Sequence, residues 1–260
     1  MKIVMSNNKI LMSKNQIVMY GSSSPVVPKG SLVNLDLDGQ GAKQYRVLSV
    51  NGNVAKIMAM YDMLEKAAWD ADSSSTTMGT LEVAKYERST LDIYLNIDWY
   101  KTLTNTTIAA IVPESVVCDA WYLNNTGDPD YTGTRGESVP GTKNYTISKY
   151  TGGTLNIGNR NVFALGVQDV IDYLNDSSVQ VDTTAILRNV NIWKMFWNDE
   201  VSHFNKRIWL RSSYADNADQ AWVVYGGEGF LGNDDSFDSN VIVRPALNLD
   251  LSKIQYTLVS

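Results

Sequence analysis

Apolar residues recur along the first twenty positions with a period of seven. Lys2-Ile3-Val4-Met5-Ser6-Asn7-Asn8 is followed by Lys9-Ile10-Leu11-Met12-Ser13-Lys14-Asn15, then by Gln16-Ile17-Val18-Met19-Tyr20. The apolar residues of each unit are consecutive, whereas a coiled coil needs them spaced at a and d. Many are β-branched, and Ser, Asn and Lys punctuate them, which favours turns. The pattern predicts three short strands joined by tight turns. An isolated meander of this size buries too little to stand alone. Residues 1–24 are therefore expected to dock on another chain or to oligomerise, with packing on the rest of the same chain as the alternative. Gly21-Ser22-Ser23-Ser24-Pro25 reads as a linker and Pro28-Lys29-Gly30 closes it.

Residues 25–260 read as one domain. Leu32 to Asp38 alternates as a strand does. Tyr45–Val50 and Val54–Met60 flank Asn51-Gly52, a strong hairpin signal. Ser89 with Asp92 three residues on resembles a capping box, and Leu91, Tyr94, Leu95 and Trp99 then share one helical face. Thr106–Ile111 suggests a second short helix before Pro113. Trp121 to Gly158 is rich in Gly, Thr, Asn and Asp and reads as a long polar insertion. Val162–Leu165 suggests a strand and Gln168–Leu174 a helix. Thr183 can cap another helix with Ile186, Leu187, Val190, Trp193 and Trp197 on its buried side. Ile208–Leu210 begins a second β region. Ala221–Tyr225 and Phe230-Leu231 flank a hairpin loop, Gly226–Gly229, and Leu247–Leu251 ends the pattern. Strands at both ends with helices between them predict an α+β domain whose termini meet in one sheet.

Composition narrows the function. The 260 residues carry a net charge of −6, which disfavours nucleic-acid partners, and no polybasic cluster suggests a lipid headgroup site. No apolar run approaches the length of a membrane span, so no membrane partner is expected. The first eight residues hold no continuous apolar segment of the signal-peptide kind. The expectation is synthesis in a host cytoplasm, with export inside a virion as one route out. Seven Trp and fourteen Tyr suit a recognition surface as well as a core.

Catalytic signatures do not emerge. Cys118 and His203 are single representatives of their types, and neither a nucleophile elbow nor a phosphate-binding Gly-rich loop occurs. Cys118 reads as a small buried hydrophobe, and His203 as a surface or core residue. The expectation is a non-enzyme with no catalytic residues, no cofactor and no metal. Asn233, Asp234, Asp235 and Asp238 offer hard oxygens for calcium. Their spacing is not that of an EF-hand, and Trp197-Asn198-Asp199 comes without the Pro-centred triplet of calcium-dependent lectins.

Three blocks carry a resemblance: Trp209-Leu210-Arg211-Ser212, Ala221-Trp222-Val223-Val224 and Val243-Arg244-Pro245-Ala246-Leu247-Asn248-Leu249. They resemble the variable proteins of diversity-generating retroelements, which have a C-type-lectin fold related to that of the formylglycine-generating enzymes. Tyr45-Arg46-Val47-Leu48, Tyr94-Leu95-Asn96 with Trp99-Tyr100, and Phe163-Ala164-Leu165 before Asp169-Val170-Ile171 are similar to the same class, so the resemblance spans about Ser31 to Leu251. It implies a C-type-lectin-like domain with a variable binding region at 209–251, and a scaffold of Trp209, Arg211, Trp222, Arg244 and Pro245. Formylglycine-type oxidation needs reactive cysteines, and Cys118 alone, far from these blocks, does not supply them.

Such retroelements mutate adenines, mostly in Asn codons, which reach Asp, Tyr, Ser, Gly and Phe but not Gln, Glu, Lys, Trp or Met. Residues between Ser213 and Asn240 come largely from the reachable set; Gln220, Trp222 and Glu228 do not. The expected ligand-binding residues are Tyr214, Asp216, Asn217, Asp219, Tyr225, Phe230, Asn233, Asp234, Phe237 and Asp238. The function this implies is a phage receptor-binding protein, at a tail fibre or tail tip. Its expected partners are a host surface protein or glycan, other virion proteins, and copies of itself in a homotrimer. A structural baseplate or decoration protein on the same fold is the alternative.

Overall fold

Asn51 and Val54 face each other across a two-residue loop, and that loop organises the larger sheet. Its first residue, Gly52, has φ +59°, a left-handed conformation that glycine adopts without a Cβ penalty. The turn is thus Gly52-Asn53, one residue later than Asn51-Gly52, because Asn51 has joined the ladder. The flanking strands are β4 (Lys43–Asn51) and β5 (Val54–Ala59) in a computed structural model. The model describes residues 10–13, 16–19, 27–62, 67–125, 145–174, 190–197, 206–226 and 229–259.

Around this hairpin lie β1 (Ile10–Ser13), β2 (Gln16–Met19), β3 (Leu32–Leu35), β15 (Ala246–Asp250) and β16 (Thr257–Leu258), giving a seven-stranded sheet of order β1-β2-β16-β3-β4-β5-β15. Strands from both ends of the chain therefore share one sheet, as the element pattern predicted. β1 and β2 form the expected hairpin, with Leu11 opposite Val18. The partner of β2 is this chain's own β16, through Val18 and Thr257. The alternative of packing on the rest of the same chain thus holds for β2: β16 presents a ladder edge, and the hairpin takes it. The first unit of the repeat lies outside the described residues.

β3 stops at Leu35, short of the predicted Asp38. Asp36 Oδ1 accepts from Gly39 N–H at 2.8 Å, which turns the chain, and the Leu37 carbonyl accepts from Thr104 N–H and Thr107 Oγ1, both at 2.9 Å. Thr104 also caps α2 (Asn105–Ala110). Ser89 caps α1 (Thr90–Ile93) by accepting from Asp92 N–H at 3.1 Å. The helical path continues through a π turn, Tyr94–Trp99, which buries Leu95 and Trp99 beside Leu91.

A second sheet of five strands has the order β10-β9-β12-β13-β14: β9 is Ala120–Asn125, β10 Tyr145–Lys149, β12 Arg207–Tyr214, β13 Gln220–Tyr225 and β14 Phe230–Asp235. The predicted insertion therefore begins and ends in strands; residues 126–144 lie outside the described ones. Two ribbons complete the β structure of the described residues, β6 (Ser75–Met78) with β7 (Leu81–Ala84) and β8 (Glu114–Cys118) with β11 (Leu155–Arg160). The fold is thus α+β; the described residues are mostly strands with four short α-helices, of which the last two are α3 (Val167–Leu174) and α4 (Val190–Phe196). Ile192, Met195, Phe196 and Trp197 are buried on or just after α4, with Trp193 half-buried. Thr183, Ile186, Leu187 and His203 lie outside the described residues.

Val162–Leu165 is buried, yet forms only one bridge, Phe163 to Ala246, and no strand. The backbone groups a ladder would use are claimed one by one. Tyr86 Oη meets Ala164 N–H at 3.2 Å, Arg211 Nη1 donates to the Ala164 carbonyl at 2.9 Å, and Arg211 N–H donates to the Leu165 carbonyl at 2.8 Å. A single apolar cluster runs from Val27 to Tyr256 and includes Val116, joining both sheets.

Candidate binding face

The β12–β13 connection and the segment after β14 lie side by side. Asn217 shapes the first turn: its carbonyl accepts from Gln220 N–H at 3.2 Å and its Oδ1 from Asp219 N–H at 2.9 Å. Ser236 N–H then donates to the Asp219 carbonyl at 2.7 Å, and Asp238 N–H to the Asp235 carbonyl at 2.8 Å. The Ser236 carbonyl in turn accepts from Asp70 N–H at 2.9 Å. Backbone bonds thus fix two adjacent turns on the core. Asp216, Asn217, Asp219 and Phe237 project from them into solvent. Phe237 is 54% exposed, the most exposed large apolar side chain among the described residues.

The other expected ligand residues are divided by the pleat, since neighbouring positions on a strand face opposite ways. Gln220 pairs with Asp235 and Trp222 with Asn233 on one face; Ala221 pairs with Asp234 on the other, where Tyr225 also projects. On the first face Asn233 Nδ2 donates to Gln220 Oε1 at 2.5 Å, and Gln220 Nε2 donates to Asp235 Oδ1 at 2.9 Å. Gln220, outside the reachable set, is a cross-strand link. Tyr214 is half-buried, with its ring 6.0 Å from that of Trp222. Burial, then the Asp216 carboxylate, pushes the Tyr214 phenol above its ordinary pKa.

Three expectations need correction on the opposite face. Asp234 is buried, and its carboxylate pairs with Arg207, so it is not presented to a ligand. Asp238 shares the same guanidinium at 2.9 Å. Burial alone would raise Asp238; the Asn240 backbone N–H and Arg207 outweigh it and hold the carboxyl below its usual value. Tyr225 is half-buried, sits opposite Arg207 and donates from Oη to the Asn233 carbonyl at 3.3 Å. Tyr214 and Tyr225, both expected ligand-binding residues, therefore pack against the core. Phe230 pairs with Tyr225 along the backbone, at the far end of the hairpin from Phe237.

The scaffold residues are all buried. Trp209 and Trp222 are 1% and 0% exposed. Trp209 Nε1 donates to the Ala67 carbonyl at 2.7 Å and Trp222 Nε1 to that of Trp121 at 3.2 Å. Arg211 donates to Asp169 Oδ2 at 2.5 Å and from Nε to the Val117 carbonyl at 3.1 Å. Lys56 bridges Asp169 at 3.1 Å and Glu114 at 2.8 Å. Desolvation opposes ionisation of Asp169, but Arg211 and Lys56 prevail and lower its pKa to about 2. Arg244 donates to the Phe196 carbonyl and to Asp62 Oδ1, the latter at 2.7 Å, under the Trp197 ring. Pro245 is buried and its carbonyl accepts from Ala59 N–H at 2.9 Å, tying the end of this region to the larger sheet.

The weighed calcium ligands do not converge. Among the described residues no three His, Cys, Asp or Glu side chains are grouped to hold a metal ion, and Arg207 supplies positive charge between Asp234 and Asp238. Cys118 is buried, and desolvation pushes its thiol up to about 12. Sequence reasoning missed Arg207, whose position two residues before Trp209 gave no hint that it spans three strands. It also missed Trp121 and Lys149, which belong to the core and rim of this sheet rather than to a polar insertion.

The sequence model of a domain of unknown function, DUF6273, matches residues 56–251, and the chain belongs to that family. No curated protein and no solved structure matches the chain.

Proposed function

We propose that this member of the DUF6273 family is a receptor-binding protein of a virion, with a C-type-lectin-like domain that presents the two turns at 215–219 and 235–240 to a host surface molecule. One observation carries the reading. Phe237, the most exposed large apolar side chain among the described residues, stands beside exposed Asp216, Asn217 and Asp219 on backbone locked by the Ser236–Asp219 hydrogen bond. A rigid aromatic anchor among adaptable polar groups is the composition of antibody-like contact surfaces. Beneath it the Trp209, Trp222, Arg211 and Arg244 contacts hold the strands without using the side chains of Asp216, Asp219 or Phe237, which leaves those three positions open to substitution. This supports the resemblance to variable lectin-like proteins, and with it the finer fold assignment.

On this reading the chain binds and does not catalyse. Residues 1–24 would hold it to a second copy or to the virion, which multiplies weak single contacts into avidity. The test is adsorption of labelled chain to a panel of bacteria, comparing wild type with Phe237→Ala. A second reading, a structural baseplate or decoration protein, is favoured by Ile93 and Ile97, both exposed and four residues apart on one helical segment, a surface suited to packing in an assembly. Adsorption to no bacterium would favour that reading.

A further inference from the structure

Three stretches of chain meet at the candidate turns. Ser236 donates its N–H to the Asp219 carbonyl at 2.7 Å, and its own carbonyl accepts from Asp70 N–H at 2.9 Å, so residues 70–74, 214–220 and 233–240 adjoin. Together they hold seven Asp and no Lys or Arg. The whole chain has 28 acidic and 22 basic residues, and taking those seven from the 28 leaves 21 against 22. The excess negative charge of the protein therefore belongs to these three stretches.

Part of that charge serves the fold. Asp70 accepts from Ser74 N–H at 2.8 Å, and Asp234 and Asp238 share Arg207. Asp235 is half-buried and accepts from Gln220 at 2.9 Å. Asp72, Asp216 and Asp219 are exposed and take part in no ion pair among the described residues. These carboxylates do not surround one point: among the described residues no three are grouped to hold a metal ion. Charges set apart on three stretches call for several cations spread over a surface rather than for a single ion. Phe237, 54% exposed, adds an apolar ring to the same face, and an aromatic face attracts a guanidinium or an ammonium.

We propose that this face docks a basic polypeptide surface, one that presents Arg or Lys side chains to Phe237 and the carboxylates around it. The inference rests on the receptor-binding reading and names the chemistry of the receptor. A polypeptide supplies spaced cations together with apolar area for Phe237, and Arg meets a carboxylate through two parallel N–H groups. Polymers that bear phosphate or carboxylate are repelled by the same charge. Attraction of this kind speeds encounter and fades as salt screens it.

The experiment is a titration of the full 15N-labelled chain with hexa-arginine amide and, separately, with hexaglutamate, read from the backbone amide resonances. Wild type should bind hexa-arginine saturably, with shifts centred on residues 214–220 and 235–240, and should not bind hexaglutamate. Asp216→Asn together with Asp219→Asn should weaken binding about three- to tenfold, the loss of two exposed ion pairs. Asp98→Asn together with Asp172→Asn removes the same charge from exposed positions on the π turn and on α3, and should change binding by less than about twofold. No binding of hexa-arginine, shifts spread over the whole chain, or equal weakening by the two double variants overturns the proposal. The wild-type shift map stands even if a variant does not fold. If hexa-arginine fails to bind while adsorption to bacteria still depends on Phe237, the basic partner is refuted and the receptor-binding reading survives. If it binds at the turns while adsorption ignores Phe237, the receptor-binding reading fails and the docking of a basic surface stands.

Discussion

The Tyr214 ring lies 6.0 Å from that of Trp222 and is tilted by 60° to it, which makes a residue of the candidate face part of the packing beneath it. Phe237, twenty-three positions on, has no such role and is 54% exposed. Tyr214→Ala should lower stability by about 1–2 kcal/mol, a loss of partial burial and of an aromatic pair. Phe237→Ala should stay within about 0.5 kcal/mol of wild type. Thermal denaturation of the two variants checks this; equal melting temperatures would contradict the packing role of Tyr214.

Asp169 gives the fold a pH dependence whose sign is fixed. Its folded pKa is about 2, below the ordinary 3.8. The stabilisation is present above the unfolded value and is lost as pH falls from about 4 towards 2. It amounts to roughly 2 kcal/mol. Urea unfolding between pH 5 and pH 2 should show that loss in wild type and a shallower slope in Asp169→Asn. Arg211→Ala, which leaves Asp169 with Lys56 and the Gly166 N–H and removes the donors of the Val117 and Ala164 carbonyls, should cost about 3–5 kcal/mol at neutral pH.

Arg207 carries the positive charge of the acidic cluster. Its guanidinium takes both Asp234 and Asp238. Neither added calcium nor a chelator should shift the melting temperature. Asp234→Ala should lower stability by roughly 2 kcal/mol, the worth of a charge-assisted contact at a partly exposed partner. A calcium-dependent rise in melting temperature that Asp234→Ala abolishes would refute the ion-pair account.

The larger features were legible in the sequence because each has a local cause. Ser89 with Asp92 marked the helix start, Gly52 marked the hairpin, and apolar runs at both ends marked a sheet that closes the chain. The aromatic scaffold was legible too, since Trp209 and Trp222 sit in unbroken apolar runs. What escaped was set by long-range partners. Val162–Leu165 has a strand's composition, but Arg211 and Tyr86 take its backbone groups. Asp234 reads like its neighbours Asn233 and Asp235, and only the register of β14 decides that it turns inward to Arg207. Trp121 opens a polar stretch in sequence and is core in space because β9 pairs with β12.

The N-terminal hairpin separates two roles. Deleting residues 1–24 removes β1 and β2 and exposes β16, whose partner Val18 is lost. The variant should melt at a lower temperature, and light scattering should show a smaller assembly than wild type. A lowered melting temperature with unchanged mass would confine the hairpin to its role within the chain.

The central claim is that the turns at 215–219 and 235–240 contact a host surface. The most direct measurement is adsorption of labelled chain to the bacteria that wild type binds, comparing Phe237→Ala with wild type at matched folded fraction. Loss of an exposed aromatic anchor typically costs about 2 kcal/mol of binding or more, so adsorption should weaken by at least about tenfold with the melting temperature unchanged. Undiminished adsorption by a folded Phe237→Ala chain would contradict the claim.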